Sequence, residues 1–410
     1  MTNDSSQHTD ALVLRNAHLV DLDTGTWREG DLLCVDGRVA EDGADVPDGA
    51  RVLDVRGGFV LPGLIDAHVH VTAFTAGLGA LGDTPPSYVT AQAARIMGGM
   101  LDRGFTTVRD MAGADFGLAK AQSEGLVRGP RLAFGGKALS QTGGHGDNRG
   151  AGTLLHDDHP CCAAVGRVAD GADAVRVAAR DELRKGAHHI KVMASGGVAS
   201  PTDRIDSTQY SPAELRAAVE EAEAANRYVA AHAYTARAVN RALEAGVRSI
   251  EHGNLIDDRS VELLTEHGAF LVPTLVTYWA LKQEGREFGL PEDSWRKVDD
   301  VLGAGLGALE RAARGGARIA YGTDLLGGMH RHQNEEFRIR SEVQKPLDVI
   351  RSATSVAAEL LGMGGEIGTL AAGARADLLV LDSDPLADVA ALADPARHQV
   401  AVVQGGRQVR

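Results

Sequence analysis

The chain of 410 residues has few cysteines, few aromatic residues and no excess of positive charge. Its three cysteines are Cys34 and the adjacent pair Cys161 and Cys162, with no CxxC spacing. An odd count at these positions excludes a disulfide framework, so we expect a reducing compartment, the cytoplasm. Aromatic residues make up 4% of the chain. The core must therefore consist mainly of alanine, valine, leucine and isoleucine.

Charge and hydrophobic runs exclude two kinds of partner. The formal net charge is -14 at pH 7, whereas nucleic-acid binding requires a basic surface. No apolar run approaches the roughly 20 residues that cross a bilayer, so we expect no membrane partner. Residues 1–10 lack the basic start and apolar run of a signal peptide and are predicted to be a disordered tail. The expected partner is a small-molecule substrate, and we expect a homo-oligomer.

The two ends of the chain differ in pattern from its middle. Residues 11–60 and 364–410 show short alternating strands and glycine turns such as Asp36-Gly37, so we expect them to pair into one small composite β-sandwich. Residues 61–363 alternate strand-like and helical segments, which is typical of a parallel sheet. The pattern predicts an α/β fold in which this middle part is a (β/α)8 TIM barrel. The strand candidates are residues 59–70, 105–110, 131–138, 188–195, 228–233, 248–252, 270–275 and 318–324.

Helix and loop signals complete the pattern. Ser211, Pro212 and Glu214 have the spacing of an N-cap, a first-turn proline and a capping box, so a helix is predicted to begin there. The stretches 139–170 and 276–298 are long and irregular, and both follow strands. We expect them to be lids or binding loops on the catalytic face of the barrel.

Potential metal ligands lie at the ends of the predicted barrel strands. This end of the strands builds the active site in (β/α)8 barrels. His68 and His70 are two residues apart and face the same side of a strand, so both can bind one metal ion. Imidazole and carboxylate ligands suit zinc, although they also admit other first-row metals. The candidates are His68, His70, Lys191, His232, His252 and Asp324.

Lys191 needs a chemical change before it can bind a metal, because an ammonium group has no lone pair. Its position inside a strand predicts burial, and burial favours the neutral amine. That amine can add carbon dioxide to give a carbamate with two oxygens. The alternative is an ammonium group that pairs with Asp324 or with a backbone carbonyl. The preceding His188 and His189 are expected to be structural residues.

Longer motifs connect these residues to a known family. The chain contains LPGLIDAHVHV, TTVRD, GGH, IKVMASGG, AHAYT, IEHG, GTD, ATSVAAELLG and GTLAAGARADLLVLDSDPL. It resembles the amidohydrolase superfamily, and within it the branch of Xaa-Pro and Xaa-Arg dipeptidases, imidazolonepropionases and ochratoxin-hydrolysing amidases. IKVMASGG and GGH are more similar to the dipeptidase-like members than to the imidazolonepropionases. The resemblance covers nearly the whole chain and implies a barrel with a composite sandwich domain.

The resemblance also implies a binuclear metal centre. Two divalent metal ions, expected to be Zn2+, would be bridged by a carboxylated Lys191. His232 and His252 would be ligands of the second ion. Asp324 would bind the first ion and act as the catalytic residue that takes a proton from the bridging water and hands it to the leaving nitrogen.

Two further residues acquire substrate-binding roles from the same resemblance. His145 in the GGH loop and Tyr234 in AHAYT would bind the carboxylate of the substrate. The alternatives are a surface loop residue for His145 and a packing residue at the barrel rim for Tyr234. His330 and His332 follow Asp324 in the chain, and we favour a solvated loop for them over a place in the pocket lining.

The predicted function is hydrolysis of a C–N amide bond by a metal-activated hydroxide. The substrate would be a dipeptide of the Xaa-Pro kind or an N-acyl amino acid, including ochratoxin-like amides. One alternative is a hydrolase of a cyclic amide, similar to an imidazolonepropionase, or of a xenobiotic amide or carbamate. Another is a barrel that only binds its ligand. Lys191 argues against most deaminase branches, which use one metal and no bridging lysine.

Overall fold

The computed structural model describes residues 10–150 and 162–410. The predicted disordered tail, apart from Asp10, lies outside the described residues, as do Cys161 and part of the predicted loop 139–170. In chain order the strands are β1 (Ala11–Asp21), β2 (Thr26–Val35), β3 (Arg38–Val39), β4 (Arg51–Asp54), β5 (Phe59–Pro62), β6 (Leu64–Val69), β7 (Phe105–Asp110), β8 (Arg131–Phe134), β9 (Ala138–Ser140), β10 (Gly166–Val168), β11 (Ile190–Met193), β12 (Val229–Thr235), β13 (Ser249–Leu255), β14 (Phe270–Val272), β15 (Arg318–Ile319), β16 (Leu378–Leu381), β17 (Gln399–Gln404) and β18 (Arg407–Gln408).

The helices lie mainly between the strands of the middle part of the chain. They are α1 (Gly79–Asp83), α2 (Pro86–Asp102), α3 (Phe116–Ser123), α4 (Ala172–Arg184), α5 (Pro212–Ala224), α6 (Ala236–Glu244), α7 (Asp258–Glu266), α8 (Leu275–Glu284), α9 (Glu292–Leu302), α10 (Gly305–Arg314), α11 (Glu335–Ser341), α12 (Pro346–Ser352), α13 (Ser355–Leu360), α14 (Ala390–Ala393) and α15 (Pro395–His398), with a 3-10 helix at Gly327–His332. Among the described residues, no helix is both long and apolar enough to cross a membrane.

The two ends of the chain pair into one sheet. Its strand order is β18-β17-β16-β5-β1-β2-β3, and β4 pairs with β1. A bridge between Arg38 and Arg375 brings the β3 edge back to the residues before β16. The sheet therefore curves around its own apolar core, whose most deeply buried members include Leu14, Val60, Leu378 and Val403.

The middle of the chain forms the barrel. One parallel sheet has the order β6-β7-β8 and the other β10-β9-β11-β12-β13-β14-β15. Two backbone hydrogen bonds join these sheets into a ring: Ala67 N–H donates to Tyr321 O at 2.8 Å, and His188 N–H donates to Phe134 O at 2.8 Å. The predicted α/β fold, a TIM barrel with an accessory sheet domain, is confirmed.

One helix prediction is confirmed in detail, and one loop prediction is wrong. Helix α5 has Ser211 as its N-cap and a reciprocal capping box with Glu214. The stretch 276–298, expected to be an irregular loop, lies largely in α8 and α9. These helices are held together because the Trp295 ring of α9 packs against Lys282 of α8, with Lys282 Nζ 3.8 Å from the ring centre. Such a contact between separate helices leaves no periodic signal in the sequence.

Candidate active site

Three of the expected metal ligands converge where β6 and the segment after β15 end. His68, His70 and Asp324 each offer one ligand atom, and these atoms lie within 4.8 Å of one another. Asp324 Oδ1 is 3.3 Å from His68 Nε2 and 3.1 Å from His70 Nε2. Burial would raise the pKa of Asp324, but the two histidines outweigh this effect and hold the pKa well below its usual range. The carboxylate is therefore ionised, and the three groups form a site that suits a divalent metal ion.

A buried ion pair inside the barrel orients His68. Arg109 Nη2 donates to Glu251 Oε1 at 2.9 Å, and Arg109 Nε donates to Ala67 O at 2.6 Å. The other carboxylate oxygen, Glu251 Oε2, lies 2.8 Å from His68 Nδ1. Burial raises the pKa of Glu251, but Arg109 and His68 more than compensate, so this pKa lies below its usual range. An ionised carboxylate at Nδ1 fixes the proton there and leaves Nε2 facing Asp324.

The sequence motifs did not single out Glu251. A signal was nevertheless present, because a carboxylate between Ile250 and His252 interrupts a strand that is buried throughout Ser249–Asn254. Buried carboxylates are rare unless they are paired, so a partner such as Arg109 was to be expected. Arg109 itself was visible only as a charged residue in another strand, and no pattern in the sequence connects the two.

A second set of hydrogen bonds fixes His70. Its Nδ1 lies 2.9 Å from Ala112 O, and a carbonyl oxygen can only accept, so Nδ1 carries the proton. Asp110 connects the loop after β6 with the loop after β7, because its carboxylate accepts from Val71 N–H at 2.7 Å and from Ala114 N–H at 3.0 Å. Burial raises the pKa of Asp110 to about 6. The loops after β6 and β7 are thereby held together around His70.

His232 and His252 extend the cluster along the next strands. The His252 ring centre lies 5.0 Å from that of His68 and 4.6 Å from that of His232. His252 Nδ1 is 2.7 Å from Thr274 Oγ1. Burial lowers the pKa of both His232 and His252 well below the usual range. Both imidazoles are therefore neutral, which is the form that binds metals.

Lys191 lies on β11 and is almost completely buried. Burial lowers the pKa of its amine to about 8, although Glu251 and Asp324 favour the charged form. The neutral amine, which is the form that can react with carbon dioxide, is therefore more accessible near neutral pH than for an exposed lysine. Of the two preceding histidines, His189 is fully buried and His188 is half-buried.

The two expected substrate-binding residues lie beside this cluster. The His145 ring stacks on His232 with centres 4.1 Å apart, and the Tyr234 ring meets His232 edge-on at 4.7 Å. Tyr278 Oη donates to Tyr234 Oη at 3.1 Å, so the Tyr234 proton remains for a further acceptor. A Cβ atom at Gly197 would lie 2.1 Å from the His145 ring, so glycine is required for this close approach.

The expectation of a solvated loop is wrong for His330. It belongs to the 3-10 helix, is buried, and places its Nε2 3.1 Å from Ala73 O. The short helix packs over the loop after β6, which removes His330 from solvent. His332, at the end of the same helix, is half-buried and its Nε2 lies 3.0 Å from Glu284 Oε1.

Comparison with known proteins identifies the family. The model of the amidohydrolase family matches residues 59–409. The chain belongs to the amidohydrolase family. Ochratoxinase from Aspergillus niger is 35% identical over 353 residues, which are 82% of this chain and 72% of ochratoxinase. A crystal structure of a prolidase complexed with N-methylphosphonate-L-proline is 50% identical, has a TM-score of 0.95, and the match covers 98% of this chain and 99% of the prolidase. A Xaa-Pro dipeptidase with bound methionine in its active site is 26% identical and has a TM-score of 0.88. That match covers 98% of this chain and 100% of the dipeptidase.

This amidohydrolase is a hydrolase that acts on C–N bonds, as the sequence predicted. Members of the family are generally metal-dependent. The donor set fits that requirement, because His68 and His70 are each held through Nδ1, so that Nε2 of both faces the ionised Asp324. Two imidazoles and a carboxylate are ligands that zinc accepts.

Proposed function

We propose that this amidohydrolase is a binuclear metal-dependent enzyme that hydrolyses the amide bond of Xaa-Pro-like dipeptides or of N-acyl amino acids, including ochratoxin-like amides. The observation that carries the proposal is the convergence of His68, His70 and Asp324 beside the rings of His232 and His252. The likeness to the prolidase and to ochratoxinase supports both substrate classes. A Xaa-Pro dipeptide and an N-acyl amino acid are both amides in which an acyl group is joined to an amino acid.

The proposed ligands would divide between two metal ions, for which zinc is the proposed identity. His68, His70 and Asp324 would hold the first ion, and His232 and His252 the second. Lys191 would bridge them as a carbamate; its buried amine, with a pKa of about 8, supports this modification. When bound, the metals would lower the pKa of the attacking water and polarise the scissile carbonyl.

The backbone contacts of Asp324 support the proposed role in proton transfer. Its N–H donates to His68 O at 2.8 Å, and its carbonyl oxygen accepts from Thr277 Oγ1 at 2.8 Å. The backbone is thereby fixed on both sides of the side chain. An ionised carboxylate held in this way can accept the proton of the attacking water and return it to the leaving nitrogen.

His145 and Tyr234 would hold the carboxylate of the leaving amino acid. The Tyr234 hydroxyl already accepts from Tyr278, so donation of its own proton is the role that remains. Hydrogen bonds to a charged group are stronger than neutral ones and fix the scissile carbonyl in one orientation. The predicted specificity is therefore for substrates with a free carboxylate.

Hydrolysis of a small library tests the proposal. The purified protein, loaded with zinc, is offered Xaa-Pro dipeptides, N-acyl phenylalanines, a cyclic amide and C-terminally amidated versions of the linear substrates. We expect the free acids to have a kcat/KM about 10- to 150-fold higher than the amides, the cost of one lost hydrogen bond to a charged group. Tyr234→Phe should lose a similar factor with the acid and little with the amide.

Two results would contradict parts of the proposal. Equal rates for free acids and amides would remove the carboxylate site and favour a neutral cyclic amide or a xenobiotic amide or carbamate as substrate. Full metal content and activity in Lys191→Ala would remove the bridging carbamate. The cytoplasmic location and the homo-oligomer stay predictions, which cell fractionation and light scattering can check.

A further inference from the structure

The loop between β11 and α5 folds against His145 and contacts both its backbone and its ring. His145 N–H donates to Gln209 Oε1 at 2.8 Å, and His145 Nδ1 lies 2.8 Å from Ser200 Oγ. Ser200 and Gln209 are buried. A histidine proposed to meet substrate is therefore fixed by a loop that follows a different strand.

Asp203 determines how the proton between Ser200 and His145 is placed. Ser200 Oγ donates to Asp203 Oδ1, and Gln209 Nε2 donates to Asp203 Oδ2 at 2.8 Å. The Ser200 hydroxyl has one proton, and this proton is donated in the hydrogen bond to the Asp203 carboxylate. Ser200 Oγ must therefore accept from His145 Nδ1–H. This leaves Nε2 as the ring nitrogen that can face the substrate. It can donate to a carboxylate only when the ring carries a proton on both nitrogens, and the Asp203 carboxylate is the nearby charge that favours this form.

Lys297 ties this loop to α9. Its ammonium group donates to Asp203 O at 2.7 Å, Ser200 O at 2.9 Å and Gly197 O at 3.3 Å. The same nitrogen lies 3.5 Å from Asp203 Oδ1, and the two side chains are 18% and 3% exposed. An ammonium group has three donors, and three carbonyl oxygens receive them. The Lys297 side chain is therefore fixed, and it connects the loop to α9.

The His145 ring has little room to adapt if this loop moves. One face stacks on His232 with ring centres 4.1 Å apart. The backbone of Gly197 lies so close that a Cβ atom there would be 2.1 Å from His145. Gly197 is itself one of the residues whose carbonyl Lys297 holds. A shift of the loop therefore shifts the ring.

We propose that Lys297, Asp203 and Ser200 are positioning residues that set the orientation of the His145 ring toward the carboxylate of the substrate. The inference deepens the proposed function and rests on it for the substrate role of His145. Lys297 acts from outside the barrel strands, through the loop backbone and Asp203. Ser200 Oγ makes the direct hydrogen bond with the His145 imidazole.

Kinetics with Ala-Pro test the proposal in the zinc-loaded protein. Lys297→Met should raise KM about 10-fold, with kcat changed less than about twofold, because uniform substrate binding is weakened. The same change in a His145→Ala background should leave KM within about twofold, since the positioned ring is absent. Arg296→Met is the control on the same helix: Arg296 pairs with Glu292 within α9 and does not hold the loop. An equal KM rise in both backgrounds would overturn the proposal.

A readout without substrate separates this inference from the proposed function. In protein labelled with 15N at histidine, the His145 ring signals are assigned by their loss in His145→Ala. Lys297→Met and Ser200→Ala should both move these signals, and Arg296→Met should not. Ser200→Ala removes one oxygen only, so it keeps the test valid if Lys297→Met fails to fold. Unchanged signals in Ser200→Ala overturn the positioning role, whereas failure of the wild-type protein to cleave Ala-Pro would overturn only the substrate.

Discussion

Glu251→Gln is the substitution that tests the buried ion pair inside the barrel. Glutamine keeps the volume of the side chain and one acceptor oxygen, so no cavity is created. It removes the negative charge that faces Arg109 and His68 at 2.9 and 2.8 Å. Arg109 is fully buried and would be left without its counter-charge.

The expected size of the effect follows from these contacts. Removing one partner of a buried ion pair costs about 3–5 kcal/mol, because an uncompensated charge stays in the interior. The free energy of unfolding of the metal-free protein should fall by that amount. His68 also loses the carboxylate that fixes its Nδ1 proton. Loss of such an orienting group should lower the affinity for zinc by about 10- to 100-fold.

Two assays and one double variant separate the effects. Urea unfolding of the metal-free protein measures stability, and competition with a chromogenic chelator measures zinc affinity. Arg109→Met combined with Glu251→Gln removes the orphaned charge, so part of the stability should return. Zinc affinity should remain low, because His68 still lacks its carboxylate. An unchanged unfolding free energy in the single variant, or full zinc affinity in the double variant, would refute the reasoning.

Two other predictions concern the carboxyl groups of Asp324 and Glu336. Asp324→Asn keeps a ligating oxygen but not the basicity, so kcat should fall by about 10²- to 10⁴-fold with KM largely retained; near-normal turnover, measured on Ala-Pro, would exclude proton transfer by Asp324. Burial raises the pKa of Glu336 to about 8, so the folded protein keeps a proton that the unfolded chain releases from about pH 4.5. This contribution to stability is present below pH 4.5 and lost as the pH rises to about 8, and Glu336→Gln should flatten the dependence in urea unfolding between pH 5 and 8.5. A dependence as steep in Glu336→Gln as in the wild type would assign it to another group.

Residues that end strands were the most predictable part of the site. His68 and His70 follow an apolar strand, and the barrel geometry brings the ends of parallel strands to one face. The same argument places Lys191, His232 and His252 near one another. Local sequence carries this information because strand position and burial are both set within a few residues. The structure brings the expected side chains into one region for that reason.

Partners that are distant in the sequence were not predictable. Lys297 and Asp203 are separated by more than 90 residues, and Arg109 and Glu251 by more than 140. Each is a charged residue that in a single sequence also fits a solvated surface. Only the closing of the barrel and the packing of α9 on the loop after β11 decide that they are paired. For the same reason, the helix α9 that carries Lys297 was not predicted, because the stretch 276–298 has no regular pattern in the sequence.

Backbone conformation at the strand ends explains a feature that alternation alone does not predict. Glu251 and His252 are adjacent, so in a regular strand they would face opposite sides. Glu251 nevertheless contacts His68, and the His252 ring centre lies 5.0 Å from that of His68. His252 has a φ of 76°, and Asp324 has a φ of 52°. A left-handed conformation at a residue other than glycine costs about 1–3 kcal/mol, and it persists only where the surrounding structure enforces it. Here it turns two proposed ligands toward one point, so the site itself accounts for strain that the sequence pattern could not predict.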